Sequence, residues 1–168
     1  MTHLPNHNEP RARAHWTGHL SDEAATLRLG GRLAKCLAPG MRVYLRGELG
    51  TGKTTLVRGI LRALGYQGRV KSPTYALVEL YVVSRLNLYH FDFYRFLDQY
   101  EFGDAGLAEY FNGDGDNACV VEWPERAGNA IPPPDLELAL VHAGDGRDVN
   151  IRANSQTGKR CLTRLRNG

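Results

Sequence analysis

Apolar positions along the chain keep two different periods, and the switches between them outline the elements. Leu27, Leu33, Ala34 and Leu37 recur at roughly helical spacing, which predicts an amphipathic helix over 22–37. Ser21 is its expected N-cap, Asp22 and Glu23 sit in the first turn where carboxylates suit the helix dipole, and Pro39-Gly40 stop it. Residues 42–46 alternate instead and read as a strand. Beyond Gly52 the helical period returns: Leu56, Ile60 and Leu64 share a face with Val57 and Leu61, and Gly65 is a natural stop.

The rest of the chain is mostly strand-like. Residues 75–83 and 86–91 read as two strands, paired around Ser84-Arg85. Residues 97–111 read as helix interrupted by Gly103 and Gly106, and 112–117 as a turn. Residues 118–122 form a short buried strand that ends on an acid. Ile131 and three prolines connect to a late strand carrying Leu136, Leu138 and Leu140, with 149–152 pairing across 144–148. Helices and strands interleave, so the class is α/β.

Length adds a domain count. A chain of 168 residues, 42% apolar, supports one compact core. The domain is expected over 16–155, after a poorly ordered, His-, Asn-, Pro- and Arg-rich lead-in at 1–15. Residues 156–168 are left as a tail supplying an extra strand or helix. No run of eighteen apolar residues and no secretory block occurs, which reads as a cytoplasmic protein. Cys36, Cys119 and Cys161 are odd in number and widely spaced, so free thiols in a reducing compartment are expected. The net charge of +3 is scattered rather than gathered into a stripe, which argues against a dedicated nucleic-acid binder.

The sharpest chemistry lies between the first strand and the second helix. Residues 47–54, GELGTGKT, match the pattern G-x-x-x-x-G-K-[ST]. Glycines let the backbone curl with its N–H groups inward around a phosphate, and the following helix points its positive end at the anion. Lys53 reaches the β- and γ-phosphates, and the Thr54 hydroxyl is a Mg²⁺ ligand. Nucleotide contacts are expected along Glu48, Leu49, Gly50, Thr51, Gly52, Lys53, Thr54 and Thr55, with ATP or ADP as the ligand.

A phosphate loop needs a second acid on the metal side. Glu122, at the tip of an apolar strand, is one candidate, and the plain reading beside it is the first exposed residue past that strand. Asp92 is the other. In a strand it shares a face with His90 and Tyr94, opposite Phe91 and Phe93. It orients water, touches the metal, or simply pairs with Arg95 on the surface. Ser72-Pro73-Thr74 is a γ-phosphate-sensing loop or an ordinary proline turn. Trp123 is a partner anchor or a lid on the core. No arginine finger stands out, and Arg95 is the nearest candidate.

Taken together and in order, GELGTGKT at 47–54, KSPTY at 71–75, YHFDFYR at 89–95 and VEWPE at 121–125 resemble the bacterial TsaE family, over about residues 20–152. These are small P-loop ATPases of tRNA threonylcarbamoyladenosine synthesis. The resemblance implies a three-layer α/β fold with a mixed central sheet. It implies an ATPase that is slow alone and works in a complex with TsaB and TsaD, meeting tRNA only through that complex. TsaD makes the transfer to the adenosine beside the anticodon, and TsaE resets the complex. By position, Glu122 takes the second Mg²⁺ place, Asp92 the acid needed for hydrolysis, Thr74 the switch-loop threonine and Trp123 the partner-facing tryptophan. Glu23, with Thr26, matches a segment near the nucleotide, and Gly146-Arg147 a late loop at the same site. The long lead-in and Phe93 depart from the family pattern. The rival reading is a small-molecule or nucleoside kinase, against which stands the lack of an arginine-rich lid. A GTPase would want an N-K-x-D signature that the chain lacks.

Overall fold

The computed structural model describes residues 14–112 and 115–168. Most of the expected lead-in and part of the turn at 112–117 therefore lie outside the described residues. The elements are β1 (His15–Leu20), α1 (Glu23–Ala34), β2 (Arg42–Arg46), α2 (Lys53–Ala63), β3 (Val78–Val82), β4 (Asn87–Asp92), α3 (Tyr100–Asp104), β5 (Asn117–Glu122), β6 (Leu136–Ala143), β7 (Gly146–Ala153) and α4 (Gln156–Asn167). The strands form one mixed sheet in the order β1-β7-β6-β2-β5-β4-β3. β2 runs parallel to β5 and β6, and β4 parallel to β5, while β1, β3 and β7 pair antiparallel at the flanks.

Strand alternation sends two different cores to the two faces. On one face Val43, Leu45, Leu88, Val120 and Leu138 meet Leu29 and Leu33 of α1, Leu56 and Ile60 of α2, and Leu162 and Leu165 of α4. On the other, Tyr44, Phe91 and Val121 lie under Phe93, Phe96, Phe102 and Phe111. Those rings meet tilted, edge-on and stacked, with Phe91–Phe111 centroids 4.8 Å apart, Phe93–Phe102 centroids 5.8 Å apart and Phe93–Phe96 centroids 4.8 Å apart. The result is a three-layer α/β domain. No helix among the described residues is long and apolar enough to cross a membrane.

α1 and α2 pack through glycine. A Cβ on Gly30 would run into the carbonyl of Leu56, and one on Gly59 into the carbonyl of Leu27. Each glycine thus admits the backbone of the other helix, which no side chain would allow.

Several boundaries differ from the sequence reading. α1 is capped by Asp22, whose side chain accepts from the Ala25 N–H at 2.8 Å, and not by Ser21. It ends at Ala34, after which the N–H groups of Cys36 and Leu37 turn back to the Leu33 carbonyl. β1 is a strand the sequence reading lacked: it is an edge strand with few apolar positions, defined by pairing to β7 and not by its own pattern. β3 starts at Val78 and not at 75, because Leu77 is left-handed (φ 68°) and its N–H bonds to the Pro73 carbonyl at 2.7 Å, forming a turn. The helix expected over 97–111 is only one short α3 and a 3₁₀ turn at Ala108–Phe111, separated by a left-handed Gly106. α4 is capped by Ser155, which accepts from the Gly158 N–H at 3.0 Å, and buries Cys161, Leu162 and Leu165.

The free-thiol expectation fails for two of the three cysteines. Cys36, just past α1, and Cys161 on α4 form a disulfide, and Cys119 alone is free and buried. The partners stand 125 residues apart, so only the docking of α4 beside α1 brings them together, and spacing carries no sign of it.

The glycine crossing makes a test. Alanine is intrinsically the better helix former by about 1 kcal/mol. Gly59→Ala is nonetheless expected to be destabilising, by about 1–3 kcal/mol, because two backbones must move apart. Urea unfolding followed by circular dichroism checks this. A midpoint equal to or above the wild-type value would contradict the packing described.

Candidate nucleotide-binding site

Parallel pairing lays the carboxyl ends of β2, β5 and β4 side by side, the place where open α/β sheets bind ligands. Leu45 pairs with Glu122, and Glu122 with Asp92, so the loop after β2 and both candidate acids meet at one edge. A cavity of about 370 Å³ opens there.

The loop 47–54 is shaped by its glycines. Gly47 (φ 149°) lies where a Cβ would fall 2.6 Å from the Leu140 carbonyl oxygen, and Gly52 (φ 104°) where one would fall 2.9 Å from Arg147 Nη1. Thr51 is buried and knits the loop internally, its Oγ1 donating to the Glu48 carbonyl at 2.9 Å. Lys53 is 6% exposed and donates from Nζ to the carbonyls of Gly47 at 2.5 Å and Glu48 at 2.9 Å. Its ammonium also lies 4.6 Å from the Trp123 ring centre. Burial pushes the Lys53 amine down from the usual lysine value, and the carboxylates of Glu122 and Asp92 work against that shift.

Glu122 is 1% exposed, a position in which an unpaired carboxylate would be costly. It is paired on every side. Oε1 accepts from Thr54 Oγ1 at 2.9 Å; Oε2 accepts from Ser72 Oγ at 3.0 Å and from His90 Nε2 at 3.2 Å. Burial alone would raise its pKa, but the hydrogen bond and charge of His90, with the Thr54 and Ser72 hydroxyls, outweigh burial and hold it below the usual carboxylate value. Because a carboxylate only accepts, Nε2 of His90 carries the proton. His90 is wholly buried, and its Nδ1 has no partner among the described residues.

Asp92 differs. Its Oδ1 accepts from the Tyr94 N–H at 2.8 Å, and its Oδ2 from Ser72 Oγ and, at 3.4 Å, from Thr74 Oγ1. Burial pushes this carboxyl up, the nearby Glu122 adds to the rise, and the Ser72 and Tyr94 hydrogen bonds and His90 only moderate it. Two neighbouring acids thus stand apart in proton affinity, the pattern expected where two carboxylates divide two tasks.

Most sequence-expected residues reach the cavity. Glu23, Leu49, Gly50, Gly52, Lys53, Thr54, Thr55, Thr74, Asp92, Glu122 and Trp123 all border it. Glu48 and Thr51 do not, and serve the loop through the Glu48 carbonyl. Gly146 is also off the cavity, pressed against Leu20 and Ser21 at the start of β7, and its neighbour Arg147 borders it instead. Arg147 Nη1 donates to Thr26 Oγ1 at 3.1 Å, bridging β7 to α1. Arg95, the finger candidate, turns away and lies 3.9 Å over the Tyr75 ring, so Asp92 and Arg95 do not pair. Glu122 is not an exposed strand end. Trp123 is half-buried on the cavity wall in a left-handed conformation (φ 57°), its ring centre 5.0 Å from that of Tyr94.

The sequence reading missed the grip of His90 and Ser72 on Glu122. Alternation put His90 on the face of Asp92, but the β4–β5 register that brings it under Glu122 leaves no mark in either strand alone.

The donor set fits a hard cation. Thr54 Oγ1 and Glu122 Oε1 converge as oxygen ligands beside a lysine and an amide loop, the set that Mg²⁺ uses when phosphate oxygens and water complete its shell. Among the described residues no group of three or more His, Cys, Asp or Glu side chains is placed to hold a metal by itself.

Comparison with known proteins agrees with the geometry. The family model for "Threonylcarbamoyl adenosine biosynthesis protein TsaE" matches residues 20–149. The tRNA threonylcarbamoyladenosine biosynthesis protein TsaE of Haemophilus influenzae is 38% identical over 156 residues, 90% of this chain and 98% of its own. The protein of the same name from Bacillus subtilis is 41% identical over 116 residues, 68% of this chain and 71% of its own. A crystal structure of YdiB from Bacillus subtilis superposes with a TM-score of 0.76 at 25% identity, covering 91% of this chain and 95% of that one. With its family model spanning most of the sheet and its relatives aligned along most of its length, the chain belongs to the TsaE family.

Proposed function

We propose that this protein is the Mg²⁺-dependent ATPase subunit required for tRNA threonylcarbamoyladenosine modification next to the anticodon, hydrolysing ATP in the cytoplasm within a complex with TsaB and TsaD. The observation that carries the ATPase reading is the 2.9 Å contact between Thr54 Oγ1 of the phosphate loop and Glu122 Oε1, with Asp92 paired beside Glu122 in the sheet. The pathway comes from the printed names of the relatives. The partner subunits come from the family resemblance, and tRNA is met through them.

In this reading the amides of 47–54 and Lys53 hold the triphosphate. Thr54 and Glu122 would hold Mg²⁺, which when bound supplies charge neutralisation at the β- and γ-phosphates. Asp92 orients the attacking water, with Thr74 beside it on the loop. Glu23 and Arg147 wall the nucleotide end of the cavity. Catalysis is positioning and charge stabilisation rather than covalent chemistry. Trp123 backs Lys53 and presents its exposed part to a partner. Activity is slow alone and rises on assembly.

Lys53→Ala is expected to lower ATP hydrolysis in the reconstituted complex by about two to three orders of magnitude, the scale on which losing one charge-stabilising donor acts. Phosphate release with and without TsaB and TsaD measures it. Full activity in that variant would defeat the assignment, and a phosphorylated acceptor in place of free phosphate would favour the kinase.

Asp92→Asn is expected to lose turnover yet gain stability at neutral pH. The native carboxyl holds its proton more tightly than the unfolded one, so its contribution is full at acidic pH and is lost as pH rises through the raised native value. The neutral isostere escapes that loss. Its advantage in melting temperature should be present at about pH 7 and vanish near pH 4. A variant less stable than wild type at neutral pH would refute the electrostatic account of Asp92.

A further inference from the structure

We propose that Ser72 is a positioning residue whose single hydroxyl sets the orientation of Asp92 and the place of the segment 71–77 together. This rests on the ATPase reading and names a residue that reading leaves without a role.

Each of the four carboxylate oxygens of Asp92 and Glu122 is approached by a donor, and one donor, Ser72 Oγ, is common to both acids. A hydroxyl has one proton to give. When Ser72 gives it to Asp92, Glu122 keeps Thr54 on Oε1 and His90 on Oε2. When Ser72 gives it to Glu122, Asp92 Oδ2 is left with Thr74 at 3.4 Å. Glu122 is therefore held with or without Ser72. Asp92 Oδ2 depends on Ser72, its other contact being the longer one to Thr74.

The backbone makes this bond a tether. The Asp92 N–H donates to the Leu77 carbonyl at 3.1 Å, and Leu77 closes the turn back to Pro73. The segment is thus fastened to Asp92 near its two ends, at Leu77 through the main chain and at Ser72 through the side chain, with Thr74 Oγ1 a longer contact at 3.4 Å between them. Between the two fastenings it forms a wall with a cavity on each side. Ser72 and Thr74 border both the nucleotide cavity and a second one of about 430 Å³. Releasing Ser72 frees one end of that wall and leaves Asp92 Oδ2 only the longer Thr74 contact, because the same bond fixes both.

The test compares full-length Ser72→Ala and Ser72→Thr with wild type, with and without the partner subunits. Three readouts are taken: ATP turnover, calorimetric Mg-ATP affinity, and amide hydrogen exchange of the peptide over 72–77. Ser72→Ala is expected to lower kcat on the order of 10- to 100-fold, as misplaced groups do, with KM and nucleotide affinity within about twofold of wild type. Exchange in 72–77 should speed up while the remaining peptides keep wild-type protection, which shows the fold intact. Ser72→Thr, which keeps the hydroxyl, should restore both kcat and protection. Wild-type kcat in Ser72→Ala, unchanged exchange, or a loss carried by KM would each overturn the proposal. If the wild-type complex releases no phosphate from ATP, the ATPase reading itself fails and the role of Ser72 goes with it; a failure of the Ser72 role alone leaves wild-type turnover intact.

Discussion

A carboxylate with almost no surface in water organises this molecule. Glu122 sits at the end of a strand whose preceding four residues are apolar, and it stays ionised because Thr54 from α2 and His90 from β4 give it donors on separate oxygens, with the Ser72 hydroxyl of the segment before β3, shared with Asp92, beside the second. Any one bond would be modest. Together they lock the phosphate loop's helix, two adjacent strands and a surface segment around one negative charge. A cation beside Thr54 would meet a ligand already aimed, with its ring of donors in place.

The sheet explains why such a charge is tolerable. Beneath Glu122 on its own face lie His90 and the aliphatic core, while the opposite face of the same strands is a slab of phenylalanine and tyrosine rings. Those rings have two rotatable side-chain bonds each and pack closely in tilted, edge-on and stacked pairs, so the strands under the site have little freedom to slide. Register is what keeps Asp92 level with Glu122, and the aromatic face defends the register.

How much of this could be read from the chain followed from how local each feature is. The glycine loop at 47–54 was legible as the link from strand to helix because its residues are contiguous and its flanking strand and helix are announced by their own periods. Asp92 and Glu122 stood out as acids at strand ends, and the family resemblance assigned them roles. The contacts of His90 and Ser72 were not legible, since they depend on which strands become neighbours and in what register. β1 was missed for the same reason, being an edge strand defined by its partner. The disulfide between Cys36 and Cys161 depends on the docking of a terminal helix, and an odd, scattered cysteine count pointed the other way. Arg147 shows a finer failure. The late loop was placed at the site, but only the backbone turn decided that the arginine and not the glycine faces the cavity.

The glycine crossing of α1 and α2 divides the pocket's walls into two mechanical kinds. Glu23 and Thr26 ride on α1, and the lysine and threonine of the phosphate loop begin α2. With backbone seated against backbone at Gly30 and Gly59, these two helices have no side-chain cushion to compress and must travel as one body. Under the proposed function, adjustment to a triphosphate and its shorter product therefore falls to the opposite wall, where a short looped span hangs from the sheet by a few hydrogen bonds.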